Sequence, residues 1–322
     1  AKIAPNMPER GKEEIDASNM AVSPGFINML SWATTSLIAD GRSLSDIKQG
    51  VTLEVFGEGG SMGPLNEQMK EDEKASMGEF KYDIDWTTLG EYLESLQRRG
   101  ISTNVASFIG ATTLRVHEIG YEDRPPTDQE MENMRNLVRQ AMEEGALGIG
   151  SSLIYAPAFY SSTEELIELC KIASDYNGMY ISHLRSESNQ FLEALEELIT
   201  ISEKAGIRAE VYHLKAGGVK NHYKMDQAIA RIDAARNRGL DISTDMYTYI
   251  AGATGLDAHM PPWVQEGGYN KWVERLKDPD IRAQVKQEMT TDTDEWENLG
   301  YFAGPDGVLF AGFKNPDLRQ YI

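Results

Sequence analysis

The 322 residues predict an α/β fold, a (β/α)8 TIM-type barrel rather than an open doubly wound sheet. Short β-branched runs alternate with amphipathic helical stretches, the pattern of βαβ units around a parallel sheet. Seven such strand–helix units can be counted along the chain. No GxGxxG loop follows the first strand, which removes the main reason to prefer a dinucleotide-binding sheet.

The strands are expected near 22–28 (VSPGFIN), 51–57 (VTLEVFG), 101–107 (ISTNVAS), 146–152 (ALGIGSS), 179–183 (MYISH), 207–213 (IRAEVYH) and 240–246 (LDISTDM). Between them lie the helices. The stretch 128–144 follows Pro125-Pro126-Thr127, with Thr127 as its N-cap. Residues 163–175 and 190–205 repeat apolar side chains at i, i+3 and i+4, and Gly178 and Gly206 lie just past their ends. Residues 225–238 follow the same pattern and stop at Gly239. After the seventh strand comes a long irregular segment, a helix near 271–290, and a last strand-like run at 307–313 (GVLFAGF). Either that run is the eighth strand or the barrel lacks its last one, and the second is the expectation. Residues 1–20 read as a remnant of a small β-sandwich domain, and 21–322 as the barrel, incomplete at its carboxyl end.

Composition narrows the functional classes. Thirty-one basic residues stand against 51 acidic ones, a formal charge of −20, so the surface repels phosphate backbones and nucleic acid is not expected as a partner. No run of about 18 apolar residues occurs, so no membrane span is expected. The first twenty residues contain no apolar core of a signal peptide, and a cytoplasmic location is the expectation. Cys170 is the sole cysteine, which excludes an internal disulfide and a multi-cysteine zinc knot. It sits in a helical run as a buried bystander. Any metal must therefore be held by carboxylates and by some of five histidines, His117, His183, His213, His222 and His259.

Two of these end predicted strands in matching settings, Ser182-His183-Leu184-Arg185 and Tyr212-His213-Leu214-Lys215. They are one strand–helix–strand repeat apart, which puts them side by side at the carboxyl ends of adjacent barrel strands. Alternation groups His183 with Ile181 and His213 with Val211; if those faces point inward, both imidazoles converge on one cation. Glu58, between Gly57 and Gly59 after an apolar strand, supplies a carboxylate. Two imidazoles and one carboxylate suit zinc and leave a position open for water or substrate. Such a site activates water and polarises a carbonyl, enough for amide hydrolysis. Arg185, by bidentate pairing, and Lys215, as a point charge, could anchor a substrate carboxylate. His117 reads as structural or at the cleft rim, His222 as solvated, and His259 as a possible substrate contact. Asp245 is either an acceptor behind a zinc-bound histidine or a cap for the next loop. Trp32 is expected to pack at the barrel mouth.

Longer motifs add a resemblance. Ile15-Asp16-Ala17 followed by Ala21-Val22-Ser23-Pro24-Gly25-Phe26-Ile27-Asn28 is similar to the segment by which amidohydrolases enter barrel strand 1. The two histidine motifs, Asp245-Met246-Tyr247-Thr248-Tyr249, Ala251-Gly252-Ala253-Thr254 and Met260-Pro261-Pro262-Trp263 resemble the N-acyl-D-amino-acid deacylase (D-aminoacylase) branch. The likeness runs from about residue 10 to 265. It implies a metal-dependent hydrolase barrel with one zinc per chain on Glu58, His183 and His213, acting on a small-molecule N-acyl amino acid. It also implies substrate contacts from Lys215 and Tyr247, with Tyr249 beside them. Two departures stand out. The family's His-x-His after strand 1 is replaced by Leu30-Ser31-Trp32, so a second metal loses both its ligands. The family's catalytic Asp, in a Gly-Ser-Asp setting at strand 8, has no counterpart after 307–313 and is expected beyond Ile322.

The expected activity is zinc-dependent hydrolysis of the linear amide of an N-acyl-D-amino acid. The rival readings are a catalytically impaired barrel that binds an acylated amino acid or a partner, and a hydantoinase-like cyclic-amide hydrolase. The last is disfavoured because its carboxylated strand 4 lysine has no equivalent in 146–153.

Overall fold

The computed structural model describes residues 11–313 and 315–321. Its strands are β1 (Phe26–Asn28), β2 (Val51–Phe56), β3 (Asn104–Ser107), β4 (Ile109–Gly110), β5 (Gly148–Ser152), β6 (Met179–His183), β7 (Arg208–Val211) and β8 (Ile242–Thr244). All pairings are parallel and follow chain order, β1-β2-β3 and then β4-β5-β6-β7-β8. Only Phe108 separates β3 from β4, so β4 continues the line of β3 beyond the predicted strand 101–107. Each of the seven expected strands thus has its element.

The array curls. Val55 of β2, Phe108, Ile181 of β6 and Tyr212 after β7 pack into one buried inner cluster, with Met29 and Leu30 against it. Strands distant in sheet order therefore face one another, as in a barrel-type α/β domain. The alternate side chains, Phe56, Ile149, Tyr180, Ala209, Val211 and Ile242, point the other way into the main core beneath the helices.

The helices form where the spacing predicts. Thr127 caps Asp128–Glu143 in a capping box with Glu130, and Met134, Val138, Ala141 and Met142 are its buried side. Thr163–Asp175 and Phe191–Ala205 bury apolar stripes in the main core, each large side chain contributing about 1.5–3 kcal/mol. Gly206 closes the second in the left-handed conformation.

Two expectations change. The helix near 271–290 is two helices, Tyr269–Arg275 and Pro279–Met289, because Asp278 caps the second and Pro279 occupies its first position. The run 307–313 is not a strand: a 3-10 turn covers Pro305–Gly307, and residues 308–313 have no regular structure. Among the described residues no strand lies between β8 and β1. Residues 11–20 form no strand, and the rest of the expected N-terminal remnant lies outside the described residues. Among the described residues no helix is long and apolar enough to cross a membrane.

Candidate metal centre

Three chain segments meet at the carboxyl ends of the strands. Glu58 follows β2 between Gly57 (φ 107°) and Gly59 (φ 75°). A Cβ on Gly57 would lie 2.5 Å from the Phe108 carbonyl oxygen, and one on Gly59 2.6 Å from Ser152 Cβ. Only glycine fits both places, and the tight turn carries the Glu58 carboxylate across the mouth.

His183 is the last residue of β6 and shares the inward face with Ile181, as alternation predicts. His213 arrives differently. Val211 packs outward in the main core and Tyr212 takes the inward place, so simple alternation would send His213 away from the mouth. A left-handed backbone at His213 (φ 37°) turns it back. Asp245 fixes that turn: its Oδ1 accepts the His213 N–H at 2.5 Å, and its carbonyl accepts the Leu214 N–H at 3.0 Å. Asp245 therefore holds the main chain of His213 and Leu214, a role different from the two expected.

The three side chains converge. Glu58 Oε1 lies 3.1 Å from His183 Nδ1 and 3.1 Å from His213 Nε2. The rings are 4.6 Å apart at 84°, and one ligand atom from each residue falls within 4.8 Å of the others. All three are buried, with exposures of 6–8%. His183 Nε2 has no hydrogen-bond partner despite its burial. Two nitrogens and one carboxylate oxygen around a common point are a fitting donor set for a divalent cation with an open position.

Sequence reasoning missed Glu187. It lies in a Ser-Glu-Ser turn, where a lone glutamate looks solvated, yet it is buried against both histidines. Its Oε1 is 3.0 Å from His213 Nδ1 and its Oε2 3.7 Å from His183 Nε2. One carboxylate thus stands behind both imidazoles, on the nitrogens that face away from Glu58. An Nδ1–H given to Glu187 leaves the His213 Nε2 lone pair free for a cation. The only sequence signal was the spacing of four residues from His183.

These charges shift one another. Burial pushes the Glu58 carboxyl up, but hydrogen bonds from His183 and His213 outweigh it and hold it below the usual range. Burial likewise opposes the ionised Glu187, while the charges of His183, His213 and Lys215 hold it well below that range. The His213 imidazole, lowered by burial but bonded to both carboxylates, is pushed up to about 9.

Lys215 Nζ reaches Glu187 Oε1 at 2.5 Å and lies 2.9 Å from His213 Nδ1. It also stands 5.5 Å over the Tyr247 ring, and Tyr249 stacks on Tyr247 at 4.5 Å. Tyr155, not singled out by sequence, sets its ring edgewise to His183 at 5.6 Å and its hydroxyl 2.9 Å from Thr254 Oγ1.

Arg185 is engaged away from the three converging side chains. Its guanidinium is taken by Glu197, through Nε at 2.9 Å and Nη2 at 2.8 Å, and by the carbonyls of Phe159 and Ser161. It ties the loop after β5 to the helix after β6. Trp32 is 66% exposed and does not pack, whereas Leu30 joins the inner cluster. His117, bonded to Glu118 at 2.8 Å, lies outside the cluster, as do His222 and His259.

A parallel barrel-type sheet with two imidazoles and a carboxylate gathered at its strand ends is the arrangement that the amidohydrolase resemblance implies. No family model matches the sequence. The chain is 33% identical to the D-aminoacylase of Alcaligenes xylosoxydans xylosoxydans over 246 residues, 75% of this chain and 50% of that protein. It superposes on a solved D-aminoacylase, described as defining a novel subset of amidohydrolases, with a TM-score of 0.61 and 30% identity. That match covers 71% of this chain and 48% of the other. A zinc and phosphonate-inhibitor complex of N-acyl-D-glutamate deacylase from Bordetella bronchiseptica gives 0.63 and 26% identity, covering 70% and 48%. The chain is homologous to the N-acyl-D-amino-acid deacylases, and spans about half the length of the relatives it matches.

Proposed function

We propose that the whole protein hydrolyses the amide of N-acyl-D-amino acids, with one zinc held by Glu58, His183 and His213. The observation that carries this reading is the convergence of one carboxylate and two imidazoles from β2, β6 and β7 on one point. Zinc there would polarise the acyl carbonyl and acidify a water. One metal rather than two fits Leu30-Ser31-Trp32, which offer no imidazole at the end of β1. In this reading residues 21–322 would belong to the hydrolase barrel, and 1–20 would lie outside it.

In the reaction the water oxygen bonds to the acyl carbon, the C–N bond breaks and a proton passes to the leaving nitrogen. The products are a carboxylate and a free amino acid. Glu187 keeps the outer nitrogen of His213 occupied, so its inner one stays available. The Lys215 ammonium, next to His213, supplies the positive charge for the substrate carboxylate. Tyr247 and Tyr249 wall the pocket on that side.

The test combines zinc content with turnover of N-acetyl-D-leucine and its L-enantiomer. One zinc per chain, lost in His213→Ala, and acetate release from the D-form are expected. A folded protein that holds no zinc overturns the metal centre. Zinc and ligand binding without acetate release favours the rival reading, a barrel that binds acylated amino acids, for which the missing strand 1 histidines speak.

A further inference from the structure

A second buried carboxylate, Glu297, lies one shell behind Glu187 and comes from a chain segment more than a hundred residues away. It is 5% exposed. Its Oε2 accepts the hydroxyls of Ser186 at 2.6 Å and Ser188 at 2.8 Å, and its Oε1 the backbone N–H of Glu187 at 3.3 Å. All three donors belong to the turn that carries Glu187. Among the described residues no lysine, arginine or histidine is bonded to Glu297; burial pushes its carboxyl up, and the neighbouring Glu187 adds to this.

The segment bearing Glu297 is itself tied down. Asn298 donates to the carbonyls of Glu288 and Thr291, at 3.0 and 2.9 Å. From the other side Asn189 donates to Asp292 Oδ1 and the Thr293 carbonyl, both at 3.0 Å. Lys220 of the loop after β7 pairs with Asp292 at 2.7 Å. Two loops at the mouth, one after β6 and one after β7, are thus held by a single strap.

Burying a carboxylate with no cation is far less favourable than burying an apolar side chain of that size. A strap needing only adhesion could use Leu or Met. What a carboxylate adds is three directional bonds to one turn, and that turn aims Glu187. We infer that Glu297 is a positioning residue for the metal centre: by fixing Ser186, Glu187 and Ser188 it sets the Glu187 carboxylate against His213 and Lys215. The inference rests on the reading of Glu58, His183 and His213 as the zinc site.

Zinc affinity, read by competition with a chromophoric chelator on the full chain, tests it apart from catalysis. Parent, His213→Ala, Glu187→Gln, Glu297→Ala and the Glu187→Gln/Glu297→Ala double variant are compared. Glu297→Ala is expected to weaken zinc about 10-fold, as loss of outer partners does. If Glu297 acts through Glu187, the double variant loses no more than Glu187→Gln alone. The visible spectrum of cobalt-substituted Glu297→Ala should shift in the same sense as that of Glu187→Gln. Ser186→Ala/Ser188→Ala removes the two hydroxyl bonds, leaves the carboxylate in place, and serves if Glu297→Ala does not fold. Zinc affinity within twofold of the parent in folded Glu297→Ala or in the serine variant overturns the inference, as does strict additivity in the double variant. Failure of the parent itself to bind zinc overturns the metal reading instead, so the two failures are distinct.

Discussion

The Asp245 side chain meets the backbone of His213 and not its imidazole: the carboxylate takes the His213 N–H at 2.5 Å and so holds a left-handed residue at the barrel mouth. The bond offsets a conformation that is uncommon outside glycine. It also decides which way the imidazole points. Asp245→Ala should weaken zinc binding about 10-fold in the chelator competition, an effect the size of an outer-partner loss. Asp245→Asn, which keeps an acceptor, should lose less. Equal losses in the two variants would contradict this account.

Metal uptake should depend on pH through His213. Without metal, the contacts to Glu58 and Glu187 keep its imidazole protonated up to about 9. A proton and a cation compete for the same nitrogen, so apparent zinc affinity falls as pH falls below that value, about tenfold per unit if one proton is displaced. Titrations at pH 6.5, 7.5 and 8.5, about one unit apart across this range, should show steady tightening. Calorimetry in buffers of different ionisation enthalpy should report proton release. A pH-independent affinity would show that His213 is not a ligand.

Arg185 is predicted to matter for stability and not for metal or substrate affinity. Removing it strands Glu197, which is 11% exposed, and leaves the carbonyls of Phe159 and Ser161 without their donor. Arg185→Ala should lower unfolding free energy by about 2–4 kcal/mol, read from urea denaturation, with zinc affinity close to the parent's. A rise in KM without loss of stability would restore the substrate-anchor role.

Gly57 and Gly59 should resist substitution. Each sits at positive φ, and a Cβ on either would collide with backbone or with Ser152. Gly57→Ala or Gly59→Ala should destabilise by about 1–3 kcal/mol and weaken zinc binding, because Glu58 moves with the turn. Unchanged melting and zinc affinity in both variants would refute this.

Much of the architecture was legible because it follows from spacing. Strand runs and apolar helical stripes are local patterns, and Thr127 capped its helix where a Thr-x-x-Glu sequence demands. Glu58, His183 and His213 could be picked because strand ends in a parallel barrel share one rim. What escaped was set by distant chain. Alternation misplaced His213 relative to Val211, since a positive φ supported by Asp245, 32 residues away, reverses it. Glu187 escaped notice because His213 and Glu297, which help to bury it, are distant in sequence, and its spacing of four residues from His183 is not by itself a mark of contact. Arg185 seemed available because Glu197 lies a turn along the next helix. The run 307–313 has the composition of a strand, but a strand needs a neighbour to pair with, and composition does not supply one.

The ligand set also has a topological side. Glu58 is separated from His183 by 125 residues and from His213 by 155. A cation shared by them would act as a staple, closing two very long chain loops and locking β2 to β6 and β7 across a sheet whose rim is open. A bound ion that the unfolded chain cannot hold adds stability in proportion to the logarithm of its concentration over its Kd. Chelation should therefore lower the melting temperature as well as empty the site, and the loss should be felt first where β2 leans on the far wall.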